Sequence, residues 1–146
     1  MRCLVFIIFM FFCFSCVKDG AVSPREAFGI LVSSMENSDL AMFKTIQSKD
    51  SLKFFEDIAD KLSQNNTAQR NYISTRYEIS DFPADYNAVM EFFLLSEKDG
   101  NLIKSLKSGI ASINRVDNKA VIVTNFGTQV VLVKENLHWK VDLRGL

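Results

Sequence analysis

The sequence predicts an α+β fold in which N-terminal helices pack on a curved, C-terminal antiparallel sheet. Between residues 23 and 62, apolar side chains recur at the three- and four-residue spacing of amphipathic helices. Further along, the apolar residues fall into four runs that start nine positions apart: 110–116, 119–125, 128–134 and 137–143. Runs of this length with two-residue gaps are typical of a four-stranded hairpin meander. Helices first and strands afterwards is the order of the α+β class.

The chain begins with a segment that resembles a bacterial lipoprotein signal. Twelve consecutive apolar residues, 3–14, follow the positive charge of Arg2. The run is too short for a membrane-spanning helix, which needs about 20 residues, and fits the apolar region of a secretory signal. Phe14-Ser15-Cys16, followed by a polar stretch, resembles the lipobox in which the cysteine is acylated and becomes the first mature residue. An uncleaved apolar anchor and an ordinary signal cut elsewhere are the alternatives.

We therefore expect a lipoprotein signal peptide over residues 1–15, a lipidated tether over 16–22 and a single α+β domain over 23–146. Cys16 is the expected lipidation site. Its acyl chains would supply more than the two membrane signals that stable attachment needs. The expected location is the bacterial cell envelope, with the domain held by lipid on the inner or outer membrane and facing the periplasm or the cell surface.

Three helices open the predicted domain, and each has a polar residue suited to cap it. The first begins at Ser23, with proline at the next position and Glu26 completing a capping box. The second begins after Asp39, and the third begins near Ser48 or Asp50. The third helix has its apolar residues on one stripe and its charged residues on the other, which indicates that one side faces the core.

The middle of the chain has a weaker pattern. Residues 65–84 fit a short irregular strand. The strand is expected to end at Pro83, because proline is tolerated only at the margins of a sheet. From Tyr86 the apolar spacing is helical again as far as the Asp-Gly pair at 99–100. A further helical turn is expected before Gly109.

The spacing of the four runs also predicts the register of the meander. Two-residue turns would place Val116 opposite Lys119, Asn125 opposite Thr128, and Lys134 opposite Leu137. The face covered by the helices then collects Ile110, Val116, Val121, Val123, Val130, Leu132, Leu137, Trp139, Val141 and Leu143. The other face exposes an apolar strip made of Ile113, Ile122, Val131 and Val133. This strip predicts an interface, covered by residues 65–84, by a second copy in a homodimer or by an envelope protein.

Two stretches resemble a known family of small bacterial lipoproteins. The motifs SPREAF, SDLAMF and SLKFFEDIA lie between Ser23 and Ala59, and DNKAVIVTNFGTQVVLVKENLHWKVDL runs from Asp117 to Leu143. Both are similar to lipoproteins with a nuclear-transport-factor-two-like, cystatin-related cone. The resemblance implies a cone-like fold with a pocket between the concave sheet face and the helices, and it implies no particular function.

Some enzymes with this cone, such as ketosteroid isomerase, set an Asp base and a Tyr donor in the pocket. The residues expected near such a pocket are Tyr72 and Tyr77, with Trp139 as a wall. A pocket of this kind would bind a small hydrophobic ligand. The predicted concave face carries Val, Leu and Trp without a buried acid, which favours a filled core instead.

The composition argues against several classes of function. The chain has 17 basic and 17 acidic residues, and this balance gives no support to a nucleic-acid partner. The single histidine, His138, excludes a His-rich metal site, and no cysteine follows Cys16. Nucleotide-binding and hydrolase motifs do not occur. We therefore expect a non-enzymatic binding or assembly module without cofactor or metal; the alternative is a domain that binds a small hydrophobic ligand or, less favoured, an isomerase-like enzyme.

Overall fold

In the computed structural model, which describes residues 20–64 and 86–145, five helices precede a four-stranded antiparallel sheet. The helices are α1 (Pro24–Glu36), α2 (Leu40–Ile46), α3 (Lys49–Gln64), α4 (Tyr86–Glu97) and α5 (Asn101–Lys107). The strands are β1 (Ile110–Val116), β2 (Lys119–Thr124), β3 (Gln129–Glu135) and β4 (His138–Asp142), and a 3₁₀ helix, Leu143–Gly145, follows. Each strand pairs with the next along the chain. The predicted α+β fold is confirmed.

Some of the predicted features lie outside the described residues. These are the signal peptide over residues 1–15, Cys16 and the irregular strand expected at 65–84. In the described part of the chain, no helix is long and apolar enough to cross a membrane.

Polar side chains fix where the first three helices begin. The Ser23 hydroxyl accepts a hydrogen bond from the Glu26 N–H at 3.2 Å, and the Glu26 carboxylate accepts one from the Val22 N–H at 2.8 Å. The Asp39 carboxylate caps α2 and the Ser48 hydroxyl caps α3 in the same manner. Each cap satisfies an N–H group that a helix start would otherwise leave without a partner.

The core lies between the helices and one face of the sheet. Phe43 is fully buried, and its ring centroid lies 6.2 Å from that of Phe55 and 5.8 Å from that of Phe93. This aromatic cluster joins α2, α3 and α4. From the sheet, the largest fully buried side chains are Ile122, Val130, Leu132, Trp139 and Val141. Since each large apolar side chain contributes about 1.5–3 kcal/mol when buried, this contact holds the helices to the sheet.

The folded domain begins earlier than the sequence predicts. Ala21 forms an antiparallel bridge with Trp139, whose N–H donates to the Ala21 carbonyl oxygen at 2.8 Å. Ala21 is 0 % exposed. Residues 20–22, which the sequence assigns to the tether, therefore lie against the folded domain, whose boundary falls before Ser23. The physical reason is that the edge of β4 offers backbone groups to pair with, and Ala21 is small enough to be buried there.

The observed register matches the prediction between β1 and β2, where Val116 lies opposite Lys119. Between β2 and β3 it differs by one residue. The Thr124 N–H donates to the Thr128 carbonyl oxygen at 2.9 Å, which closes a three-residue loop instead of a two-residue turn. Gly127 ends that loop with a φ of 85°, a conformation that glycine adopts without strain.

A one-residue slip moves every side chain of the affected strands to the other face of a sheet. Val116, Val121 and Val123, predicted to face the helices, lie on the opposite face, and the residues that replace them in the core include Ile122. The β3–β4 turn is displaced by one position, so that Glu135 lies opposite His138. The side chains of β3 and β4 keep their predicted faces relative to each other, because the observed partner of each residue differs from the predicted one by two positions.

Two other predictions about the β3–β4 hairpin have different outcomes. Val130, Leu132, Trp139 and Val141 face the core as predicted. Leu137 does not, because it occupies the turn with a φ of 72° and is 80 % exposed.

Candidate functional site

The sheet face turned away from the helices is the leading candidate for a functional surface, and we call it the outer face. Its residues are Ser112, Asn114, Val116, Lys119, Val121, Val123, Gln129, Val131, Val133, Glu135, His138, Lys140 and Asp142. At its centre lie four half-buried valines, the valine strip: Val121, Val123, Val131 and Val133. Val121 and Val131 lie directly opposite each other on neighbouring strands.

The structure changes the membership of the predicted interface. Val131 and Val133 lie on the outer face, but Ile113 and Ile122 do not. Ile122 is 0 % exposed, and Ile113, its partner on β1, packs against the core from a half-buried position. The sequence reasoning missed Val121 and Val123 because it assumed a two-residue turn between β2 and β3. Gly127 at the third loop position is the signal that would have corrected it.

Charged groups surround the valine strip. Lys119 lies opposite Val133 on β2 and is exposed, while Lys140 lies opposite Val133 on β4 and donates from Nζ to the Thr45 carbonyl oxygen at 2.7 Å. The one acid next to the strip on β4 is Asp142, which is 8 % exposed and lies opposite Val131.

Asp142 is held in an ion pair. The Arg144 Nη2 atom lies 2.6 Å from Asp142 Oδ2, and Arg144 Nε donates to Oδ1 at 2.9 Å. These hydrogen bonds lower the pKa of Asp142 below its usual value, although partial burial acts in the opposite direction. The charge of Lys119 also lowers the pKa of Asp142, so this acid partly offsets the lysine beside the strip on β2. Arg144 is itself shared between two acids, since its Nη2 atom also lies 2.8 Å from Asp50 Oδ2.

Gly20 brings the start of the domain onto the outer face. A Cβ atom at this position would lie 2.6 Å from His138 Cβ and 3.1 Å from Lys140 Nζ, and the φ of Gly20 is +154°. Both neighbouring side chains project from the outer face. Gly20, the first residue that the structure describes, therefore lies on this side of the sheet.

Trp139, the expected wall of a pocket, lies in the core with 1 % of its surface exposed. The Arg115 guanidinium carbon lies 5.0 Å from the centroid of its ring, a cation–π contact at one end of the core. The register places Arg115 on the core side of the sheet, opposite Ala120. Tyr72 and Tyr77, the other expected pocket residues, lie outside the described residues.

A second surface feature lies between α1 and α5. Two adjoining open grooves of about 510 and 480 Å³ share an ion pair between Glu36 and Lys107, whose Oε1 and Nζ atoms lie 2.5 Å apart. The smaller groove has an apolar floor formed by Phe28, Val32 and Leu106. Phe126, 74 % exposed, lines the larger one together with Lys98, Asp99, Ile103, Lys104 and Ser108. Neither groove was predicted from the sequence.

Three hydroxyl groups near the β2–β3 loop bond to one another. Ser105 Oγ lies 2.8 Å from Thr124 Oγ1, and Thr128 Oγ1 donates to Ser105 Oγ at 2.7 Å. The Thr128 N–H also donates to Thr124 Oγ1. These bonds join α5 to the loop and stabilise the three-residue connection that sets the register.

Among residues 20–64 and 86–145, no cluster of three or more His, Cys, Asp and Glu side chains is arranged to hold a metal ion. His138 lies half-buried on the outer face, and its Nδ1 atom is buried without a hydrogen-bond partner. The outer face thus combines an apolar centre, charged neighbours of both signs and the contact with Gly20.

Comparison with known proteins adds no further assignment. No family model matches the chain, and neither a curated protein nor a solved structure matches it.

Proposed function

We propose that this protein is a lipid-anchored lipoprotein of the bacterial envelope, acylated at Cys16, whose α+β domain acts as a non-enzymatic binding or assembly module. The observation that carries the proposal is the position of Ala21, which is buried and bonded to Trp139 only five residues after Cys16. Gly20 is the fourth residue after Cys16, and at roughly 3.3–3.6 Å per residue the distance between them is at most about 14 Å. Acyl chains on Cys16 would hold the folded domain directly at a membrane surface.

The sequence supports the anchoring part of this proposal. The apolar run over 3–14 has the length of a secretory signal core, and it ends in the small residue Ser15 directly before Cys16. An amide-linked chain together with a diacyl group would exceed the two signals required for stable attachment. The order of helices followed by a meander agrees with the resemblance to nuclear-transport-factor-two-like lipoproteins, and we keep that relationship as part of the proposal.

The described surface supports binding as the activity. Four half-buried valines lie side by side on the outer face of the neighbouring strands β2 and β3. Apolar patches of this kind mark interaction surfaces. The second candidate function, binding of a small hydrophobic ligand, is favoured by the apolar floor of the smaller groove between α1 and α5. Trp139 is buried in the core, so it does not line that groove.

Lipid labelling tests the proposed function. The chain is produced in a bacterium fed radiolabelled palmitate, and labelling of the protein is compared with that of Cys16→Ala. We expect labelling of the unaltered chain, its loss in Cys16→Ala, and a matching loss from the detergent phase on phase separation. Cys3→Ala is the matched control, because it removes a cysteine from the expected signal peptide at a distance from Cys16 and should leave labelling intact. Equal labelling of Cys16→Ala and the unaltered chain would contradict the proposal.

Titration with a hydrophobic fluorescent probe tests the second candidate. Binding that Val32→Asp abolishes would support a ligand site in the smaller groove. Val32 is half-buried, so this change alters the groove without opening the centre of the core. Binding that is absent from the unaltered protein would rule this candidate out for the probe used.

A further inference from the structure

The N-terminal chain meets the domain on one particular side of the sheet. Gly20 lies against the side chains of His138 and Lys140, which both project from the outer face. A Cβ atom at Gly20 would come within 2.6 Å of His138 Cβ, so only glycine fits this contact without a shift. The contact with β4 therefore fixes the position of Gly20 on this side of the sheet.

The short distance along the chain between Cys16 and Gly20 keeps the outer face close to Cys16. At most about 14 Å separates Cys16 from Gly20, given roughly 3.3–3.6 Å per residue. Neighbouring strands lie about 4.8 Å apart, and Gly20 lies beside the free edge of β4, so the valine strip on β3 and β2 lies about 10–14 Å from Gly20. A membrane holding acyl chains on Cys16 is thus within reach of the whole strip.

The chemistry of this face fits a phospholipid surface. The valine strip is apolar, and Val116, at the same end of the sheet as the β3–β4 turn, is 72 % exposed. Leu137 in that turn is 80 % exposed. Lys119 lies between Val116 and the strip, in a position to meet lipid phosphates. The two acids of this face are bonded within the domain: Asp142 pairs with Arg144, and Glu135 accepts a hydrogen bond from the Lys49 N–H.

We propose that the outer face lies flat against the phospholipid surface of the membrane to which Cys16 is anchored, with the valine strip and Val116 towards the lipid and the helices directed away from it. This inference rests on the proposed acylation of Cys16. It assigns the occupant of the strip as lipid, in place of a second copy of the chain or an envelope protein. The helix layer, including both grooves between α1 and α5, then remains open to partners.

Site-specific quenching tests the orientation. Val116→Cys and Gln129→Cys place a thiol at two exposed positions of the outer face, and Glu56→Cys places the control thiol on the exposed side of α3. In the mature acylated chain the introduced thiol is the only free one, since Cys3 and Cys13 leave with the signal. Each protein is labelled with an environment-sensitive dye and reconstituted in vesicles of phosphatidylethanolamine and phosphatidylglycerol that contain a lipid with a nitroxide on its headgroup.

We expect several-fold stronger quenching of the dye at residues 116 and 129 than at residue 56. Equal quenching at the three positions in an acylated, vesicle-bound protein would overturn the orientation and leave the anchor proposal standing. A dye at residue 116 or 129 that is shielded from water but not quenched would show another protein surface on the strip, and would overturn it as well. A chain that is neither acylated nor bound to vesicles would refute both proposals.

Discussion

Trp139 donates its backbone N–H to the carbonyl oxygen of Ala21 over 2.8 Å, and both residues are almost completely buried. The contact joins the first residues of the domain to the start of β4. The Arg115 guanidinium carbon lies 5.0 Å from the centroid of the Trp139 ring. Trp139 therefore links the N-terminal segment, the sheet and the core in one place.

Replacing Trp139 by alanine should lower the free energy of unfolding by about 3–5 kcal/mol, because it removes a large buried side chain and leaves a cavity. Urea unfolding followed by circular dichroism would measure the loss. Phe126→Ala is the control: Phe126 is 74 % exposed, so its removal should change the free energy of unfolding by no more than about 0.5 kcal/mol. A loss below about 1 kcal/mol for Trp139→Ala would contradict its place in the core.

Gly20 and Gly29 form a matched pair for testing where the domain begins. Gly20→Ala should destabilise the domain by about 1–3 kcal/mol, because the added Cβ would lie 2.6 Å from His138 Cβ. Gly29 lies inside α1 with nothing within 4 Å of an added Cβ. Gly29→Ala should therefore stabilise the domain by about 1 kcal/mol through its higher helix propensity. Thermal unfolding of the two variants should give opposite shifts in Tm, and a neutral Gly20→Ala would show that the domain starts later.

The sequence was sufficient to predict the helix starts and the meander because these depend on short-range chemistry. The Ser23 cap, for example, needs only residues within the same turn. The alternation along each strand also placed Val131 and Trp139 on opposite faces correctly.

Features that depend on distant parts of the chain could not be predicted in the same way. The burial of Ala21 arises from pairing with β4, more than a hundred residues away, while the local sequence around it resembles a polar linker. The register of β2 on β3 depends on whether the loop has two or three residues, and both fit the sequence Asn125-Phe126-Gly127. The grooves between α1 and α5 are likewise products of helix packing.

The ion pair between Asp142 and Arg144 predicts a dependence of stability on pH. Arg144 lowers the pKa of Asp142 below 3.8, the value expected of the unfolded chain. A carboxylate with a lower pKa in the folded state stabilises the fold at pH values above its unfolded pKa, and that contribution is lost as the pH falls through the folded value. Stability should therefore fall in the range below about pH 4.

Asp142→Asn isolates this contribution. It should reduce the free energy of unfolding at neutral pH and flatten its decline below about pH 4, because the neutral amide cannot form the ion pair. Asp99→Asn is the control, since Asp99 is exposed in the loop before α5. Urea unfolding at a series of pH values would show the difference. If the two variants followed the same pH profile, the ion pair would have no measurable role in stability.

The one-residue difference in register between β2 and β3 can be tested by engineered disulfides. Val121 lies opposite Val131 on the outer face, so Val121→Cys with Val131→Cys should form a disulfide under mild oxidation. The register expected from a two-residue turn would instead place Val121 opposite Leu132. Val121→Cys with Leu132→Cys should stay reduced, because Leu132 points into the core, away from Val121. Mass spectrometry after oxidation distinguishes the two results. A disulfide in the second pair alone would place Val121 and Val123 in the core, and the valine strip would no longer exist as a surface.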